Sequence, residues 1–467
     1  MFLAQKAPGF RMACLQRTQG VQRRARSGRL RRERQSRPAV LTVLSSAASH
    51  RILVVGGSGR VGSAVTEHLV KKAYQLGVAP SVRIDLGSRD RERGQAAAQR
   101  LRQRLASDVE RSAVQDHVQL DWSEYRPETL VEILRPYDLV IHTAGPFQNR
   151  EEKAGRLLDA CIQAGVAYQD VADDMHHAEW CRKRYASAAK QSKISAWIST
   201  GIYPGVSNLM AADLLDQMTD LLGERAAPSK FGIAFSYFTA GSGGAGATIL
   251  SATYLLLAEP VYTVENGEIR WRPAFSDPQR IDFGPACGGH RTAYLLNLPE
   301  VRSAHIVHGV GHVEARFGTA PALWNGLMWC MARYLRPEIL RKRMTGITVA
   351  SLPLVRLVDM LVGARTAVRV DCWYQDVVSG PASRTHFLYV HDRLTDAVGE
   401  CTAAFSLARL FPDRLGVDVP YESGVWYPEE VFRTRASRRA LFGLVQPSAL
   451  SWIRTGIQDT HGCKLTS

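Results

Sequence analysis

Residues 51–65, RILVVGGSGRVGSAV, constrain the fold of this chain more than any other stretch. Ile52 to Val55 run without a polar break, as a central parallel strand covered on both faces requires. Beyond the glycines, Val61, Ala64, Val65, Leu69 and Ala73 recur at helical spacing. The glycines therefore sit at a strand-to-helix turn. Gly57, Gly59 and Gly62 spell G-x-G-x-x-G, and Gly56 offers G-x-x-G-x-x-G as a second register. A first glycine permits the tight turn, a second lets a pyrophosphate approach the backbone, and a third lets the helix pack on the strand. An anion there meets free N–H groups and the positive end of the helix dipole. The turn, Gly56, Gly57, Ser58, Gly59, Arg60, Val61 and Gly62, is thus the expected dinucleotide cradle.

The second strand, SVRIDLGSR at 81–89, ends in Gly87-Ser88-Arg89. A strand-end acid would read the ribose 2′-hydroxyl of NAD, whereas a cation suits the 2′-phosphate of NADP. Ser88 and Arg89 favour NADP, because a guanidinium donates two parallel charge-assisted bonds to a phosphate. Asp85, four positions earlier, is the residue that would favour NAD if the register shifted. Strand and helix patterns then alternate through HVQLD, YDLVIHTAGPF, VAYQDV and ISAWIST, implying a right-handed, doubly wound parallel sheet. Asp121, Ala144, Gly145 and Pro146 fall at the ends of these strands, on the side where such sheets bind cofactors.

Composition sets limits around this core. Of the net charge of +15, ten units fall in residues 1–50, where Lys6 and ten arginines face Glu33 alone, so the rest of the chain lacks the basicity of a nucleic-acid binder. Residues 1–45, rich in Arg, Gln, Ser and Ala, read as an organelle transit peptide. The Ser/Ala-rich VLTVLSSAASH points to a chloroplast, and the arginine run to a mitochondrion as the alternative. Eight scattered cysteines without a C-x-x-C pair indicate free thiols.

Several segments in order, VVGGSGRVG, the SR after strand two, DLVIHTAGPF, LLDACIQAGVAYQDVADD, GIYPGVSNLMA and GVWYPEEVF, resemble the saccharopine dehydrogenase-like NADP-binding oxidoreductases. The resemblance implies a Rossmann-type doubly wound sheet with an inserted mixed α+β substrate or dimerisation domain. The implied boundaries are 46–225 for the NAD(P)-binding domain, 226–400 for the insert, 401–435 for the return to the first domain and 436–467 for a tail. It also implies hydride transfer with NADP to or from a small molecule, and a homodimer. The insert's size and apolarity suggest a hydrophobic substrate.

At the cofactor-facing strand ends, His142, Tyr168 and Asp170 are the candidate acids, with Asp173 and Asp174 following as carboxylates or helix caps. GIYPGVSN adds Tyr203 and Asn208 near the same edge, with Ser207 a helix cap. Gly309 and Gly311 break any helix through His305, His308 and His312, and strand alternation puts His305 and His308 on opposite faces with no carboxylate or Cys before Glu314, so no metal is expected. A spanning helix is not expected. The nearest approach, 345–363, is interrupted by Pro353, Arg356 and Asp359 and reads as buried or interfacial. Trp324, Leu327, Met328, Met331 and Leu335 beside Arg341, Lys342 and Arg343 support a second reading: a non-catalytic NADP-binding protein docking on a membrane or lipid particle.

Overall fold

The computed structural model describes residues 49–148, 151–241, 247–375, 383–418 and 422–457. The targeting segment assigned to 1–45 lies outside them. Strands and helices alternate from residue 50 to 222, with one doubled helix: β1 (His50–Val55), α1 (Arg60–Gln75), β2 (Val82–Ser88), α2 (Arg91–Arg104), α3 (Asp108–Ala113), β3 (Val114–Gln119), α4 (Pro127–Leu134), β4 (Leu139–His142), α5 (Glu151–Ala164), β5 (Ala167–Asp170), α6 (Met175–Gln191), β6 (Ser195–Trp197) and α7 (Val206–Leu222). These strands pair in parallel in the order β6-β5-β4-β1-β2-β3, the doubly wound arrangement. Strand alternation divides β1 between two cores. Ile52 and Val54 join Val65, Leu69, Ile84 and Leu86 on one face. Leu53 and Val55 join Val140, Leu157 and Leu158 on the other.

The second sheet has nine strands and is mixed. Its members are β7 (Phe231–Ala240), β8 (Val261–Glu265), β9 (Glu268–Arg272), β10 (Gln279–Asp282), β11 (His290–Leu295), β12 (His312–Ala320), β13 (Arg365–Tyr374), β14 (Ser383–His391) and, much later, β16 (Ser451–Arg454). Central β7 pairs in parallel with β12 and antiparallel with β13, and α7 lies across β13 and β14. Four helices belong to this part: α8 (Ala247–Leu256), α9 (Pro299–His308), α10 (Ala322–Tyr334) and α11 (Pro337–Val362).

The chain returns through α12 (Leu394–Leu410), which packs on α1 so closely that a Cβ on Gly399 would lie 2.6 Å from the Ala64 carbonyl carbon. Strand β15 (Gly424–Trp426) then adds beside β6 as the seventh strand of the first sheet.

Three expectations need correction. Residues 436–457 are not a tail: a helix at Arg435–Val445 precedes β16, whose Trp452 packs on Phe387, Tyr389 and Phe442. Helix α7, placed by sequence in the first domain, shares its core with the second sheet. Residues His305 and His308 end a helix, closed by Gly309 in the left-handed conformation, rather than lying along a strand.

Candidate functional site

The glycine turn is held by backbone constraints. Gly56 adopts φ +85°, and a Cβ there would lie 2.9 Å from the Ala144 amide nitrogen. A Cβ on Gly62 would sit 2.4 Å from the Gly56 carbonyl oxygen, so α1 approaches the turn as closely as it does only because residue 62 lacks a side chain. Gly59 is the N-cap of α1 and supplies no capping side chain, and no acid occupies the first turn. The first-turn amides therefore face the neighbouring cavity with the positive end of the helix behind them. Gly56, Ser58, Gly59, Arg60 and Val61 line that cavity. Gly57 and Gly62 lie behind it, where they permit packing.

At the end of β2, Ser88, Arg89, Asp90 and Arg93 continue the lining. Asp90 caps α2 by accepting from the Arg93 amide at 2.9 Å. Asp85 lies three residues inside the strand, buried, where its carboxylate accepts from the Tyr137 hydroxyl at 2.9 Å, the Asp116 amide at 3.1 Å and the Arg51 guanidinium at 3.4 Å. It is a structural acceptor and leaves Ser88 and Arg89 at the strand tip.

On the other side, Thr143, Ala144, Gly145, Pro146 and Phe147 follow β4 into the lining. Thr143 Oγ1 donates to the Val55 carbonyl at 2.8 Å and so pins this loop to the end of β1. Asp173 and Tyr203 also face the cavity. Gln148 Nε2 donates to Asp173 Oδ1 at 2.9 Å, and burial raises the Asp173 carboxyl above its ordinary range. Tyr203 stacks on Tyr237 with ring centroids 4.3 Å apart. Its hydroxyl is buried beside Thr366, and burial, reinforced by the Glu300 and Asp173 charges and partly offset by Thr366, raises its pKa and holds it protonated.

Behind this pair, Tyr237 donates to Glu300 at 2.6 Å, and Asn208 donates to Ser303 at 2.8 Å and to Glu429 at 3.0 Å. Burial pushes both glutamates up to about 7.

The cavity, about 680 Å³, continues from the cofactor turn into the second sheet, where Leu250, Tyr254, Leu298, Phe317, Met328 and Val355 line it. The ionisable residues lining that end, among those described, are Arg356, Asp359 and Tyr254. Among the described residues no cluster of His, Cys, Asp and Glu could hold a metal.

Residues 52–201 match the family model described as the saccharopine dehydrogenase NADP binding domain. This region is a saccharopine dehydrogenase-type NADP-binding domain. Two solved structures share the fold over most of the chain. One is the apo histidine-tagged saccharopine dehydrogenase (L-Glu forming) from Saccharomyces cerevisiae, 12% identical with a TM-score of 0.53, covering 87% of this chain and 100% of that one. The other is the homospermidine synthase from Legionella pneumophila in complex with NAD, also 12% identical with a TM-score of 0.53, covering 87% of this chain and 91% of that one. No curated protein matches the chain significantly.

The NADP-binding domain gathers most of the cofactor residues singled out from sequence around one cavity but places the strand-end candidates elsewhere. His142 is fully buried, with Trp122 and Phe147 each packed edge-on at 5.0 Å and Nδ1 3.0 Å from the Tyr168 hydroxyl. Burial drives its pKa down to about 3, so it stays neutral. Asp170 accepts the Ser199 and Ala172 amides at 2.7 and 3.1 Å, a turn-closing role, and burial raises it to about 6. None of His142, Tyr168 and Asp170 lines the cavity; they form a polar layer beneath its floor. Asp121 is also withdrawn, accepting from the amide and hydroxyl of Ser123 in its own turn. Asp174 caps α6 through the His177 amide at 2.6 Å. The cap of α7 is Gly205, whose amide donates to Asn208 Oδ1 at 2.9 Å, rather than Ser207. A second run of glycines in the sequence, GSGGAG at 241–246, precedes α8; Gly241 has φ +57°, and 242–246 lie outside the described residues.

Proposed function

We propose that the chain is an NADP-dependent oxidoreductase that reduces a hydrophobic carbonyl compound or oxidises the corresponding alcohol, in a plastid as the N-terminal composition suggests. The observation that carries this reading is the continuity of the cavity: one end is the glycine turn with Ser88 and Arg89, and the other is walled by leucines, aromatics and methionine. The cradle fits the coenzyme's charges: open first-turn amides and Arg60 for the diphosphate, and Arg89 with Ser88 for the 2′-phosphate. When bound, NADPH would supply the hydride for the carbonyl carbon. The chain's part is to orient the substrate, exclude water and deliver one proton to the carbonyl oxygen. Tyr203 is placed for that proton, since it lines the cavity with Asp173 and its hydroxyl is held neutral by burial.

An amino-acid substrate of the kind named by the yeast structure would need fixed cations for its carboxylates. Arg356 is the one cation lining the apolar end among the described residues. NADPH oxidation, followed by absorbance against alkyl and prenyl aldehydes and ketones of rising chain length, tests the reading. Rates that rise with chain length, and none with 2-oxo acids plus amino acids, are expected; the reverse order would overturn it.

A further inference from the structure

Helix α11 is apolar on two opposite faces. Its inner side, with Leu340, Thr348, Leu352 and Val355, closes the cavity and is fastened to α8 by Ser251–Thr348 at 3.0 Å and Tyr254–Ser351 at 3.2 Å. Its outer side leaves Val349, Leu354, Leu357, Met360 and Leu361 from 47% to 78% exposed, and Leu323 and Tyr334 of α10 are exposed as well. Only 11% of the helix's apolar stretch is buried, although by length and composition it could cross a membrane. A helix apolar on two opposite faces wants a second apolar phase, and of the two expectations for this stretch, buried or interfacial, its exposed outer side fits the interfacial one.

We propose that this outer face lies flat on an anionic bilayer, and that a lipid-soluble substrate reaches the cavity from that membrane. The hydrogen bonds to α8 keep the helix along the body of the protein, which makes it an in-plane anchor. Charge selects the occupant. Arg333, Arg336, Lys342 and Arg343 are exposed on either side of the α10–α11 junction, against Glu338 alone, while Arg341 donates to the Ala258 carbonyl at 3.3 Å. A second copy docking through the same face would bring two such sets of cations into one interface, whereas anionic headgroups neutralise them. Arg356 is exposed and also lines the cavity, so the mouth opens along this helix. The route of the substrate rests on the function proposed above; the docking does not.

The test is flotation of the full chain with vesicles of equal parts phosphatidylcholine and phosphatidylglycerol at about 0.15 M salt, read as the difference between wild type and variants that all carry the same arginine-rich first 50 residues. Wild type is expected to float. Leu357→Glu with Met360→Glu and Leu361→Glu should lower its partition coefficient at least about tenfold while NADPH affinity is unchanged. If that variant loses NADPH binding, the milder pair Met360→Ser and Leu361→Ser, 78% and 77% exposed in the wild type, serves instead. Failure of the wild type to float, or equal flotation of the variants, overturns the proposal. So does a wild-type dimer, seen by light scattering without lipid, that the same substitutions split. NADPH turnover without flotation sinks the docking alone; flotation without turnover sinks the enzyme reading alone.

Discussion

Arg89 offers the sharpest single perturbation of the cofactor site. Its side chain stands at the tip of β2, exposed and without an ion pair among the described residues, with Arg93 one helical turn along the same wall. A guanidinium facing a 2′-phosphate donates two charge-assisted bonds, each worth about 1.5–3 kcal/mol when well formed. Exposure lets water reclaim much of this, which leaves about 1.5 kcal/mol net, or roughly tenfold in affinity. Arg89→Asp also sets a carboxylate against the phosphate, so NADPH should bind at least about tenfold more weakly. NADH, which lacks that phosphate, should be unaffected or slightly favoured, because the new carboxylate can accept from the ribose 2′-hydroxyl. Nicotinamide fluorescence titrations with both coenzymes at one ionic strength read the two constants. Equal losses for NADPH and NADH would refute the assignment of Arg89 to the phosphate.

Other substitutions probe the turn, the proton and the buried carboxyls. Gly62→Ala places a Cβ 2.4 Å from the Gly56 oxygen, so α1 must shift; the urea midpoint should fall by an amount equivalent to about 1–3 kcal/mol, with weaker NADPH binding. Tyr203→Phe should lower kcat by about a hundredfold or more with NADPH affinity unchanged; an unaltered rate would remove Tyr203 from proton delivery. Glu300 and Glu429 titrate near 7 in the fold and near the ordinary carboxyl value when unfolded. Their stabilisation is present below the unfolded pKa and lost as pH rises to 7. Between about pH 5.5 and 7.5 each carboxyl should therefore cost on the order of 2 kcal/mol, and Glu429→Gln should flatten that decline in urea midpoints.

Much of the cofactor side was legible because the relevant signals are local. Four consecutive apolar residues, helical spacing after Val61 and glycines between them require only neighbours in sequence to be understood. The choice among strand-end acids was not local. His142, Tyr168 and Asp170 sit at the expected ends, but the parallel register that pairs His142 with Asp170 turns their side chains into the layer beneath the cavity. The loops that follow are what present Asp173 and Tyr203, and both residues were visible in the sequence without a signal to rank them above the strand ends. The C-terminal strand escaped notice because four residues carry no periodicity, and its place is fixed by pairing with β14 across a long stretch of chain. The exposure of α11 was equally hidden, since an apolar helix reads the same whether a protein core or a membrane receives it.

The seat of the coenzyme at the Gly56–Gly62 turn is tested most directly by the thermal unfolding midpoint of the purified protein with NADPH. At about 100 times its dissociation constant a ligand adds about 2.7 kcal/mol of stability, so the midpoint should rise by several degrees, and less with the same concentration of NADH. A midpoint unmoved by either coenzyme would contradict the assignment of this turn as a dinucleotide site.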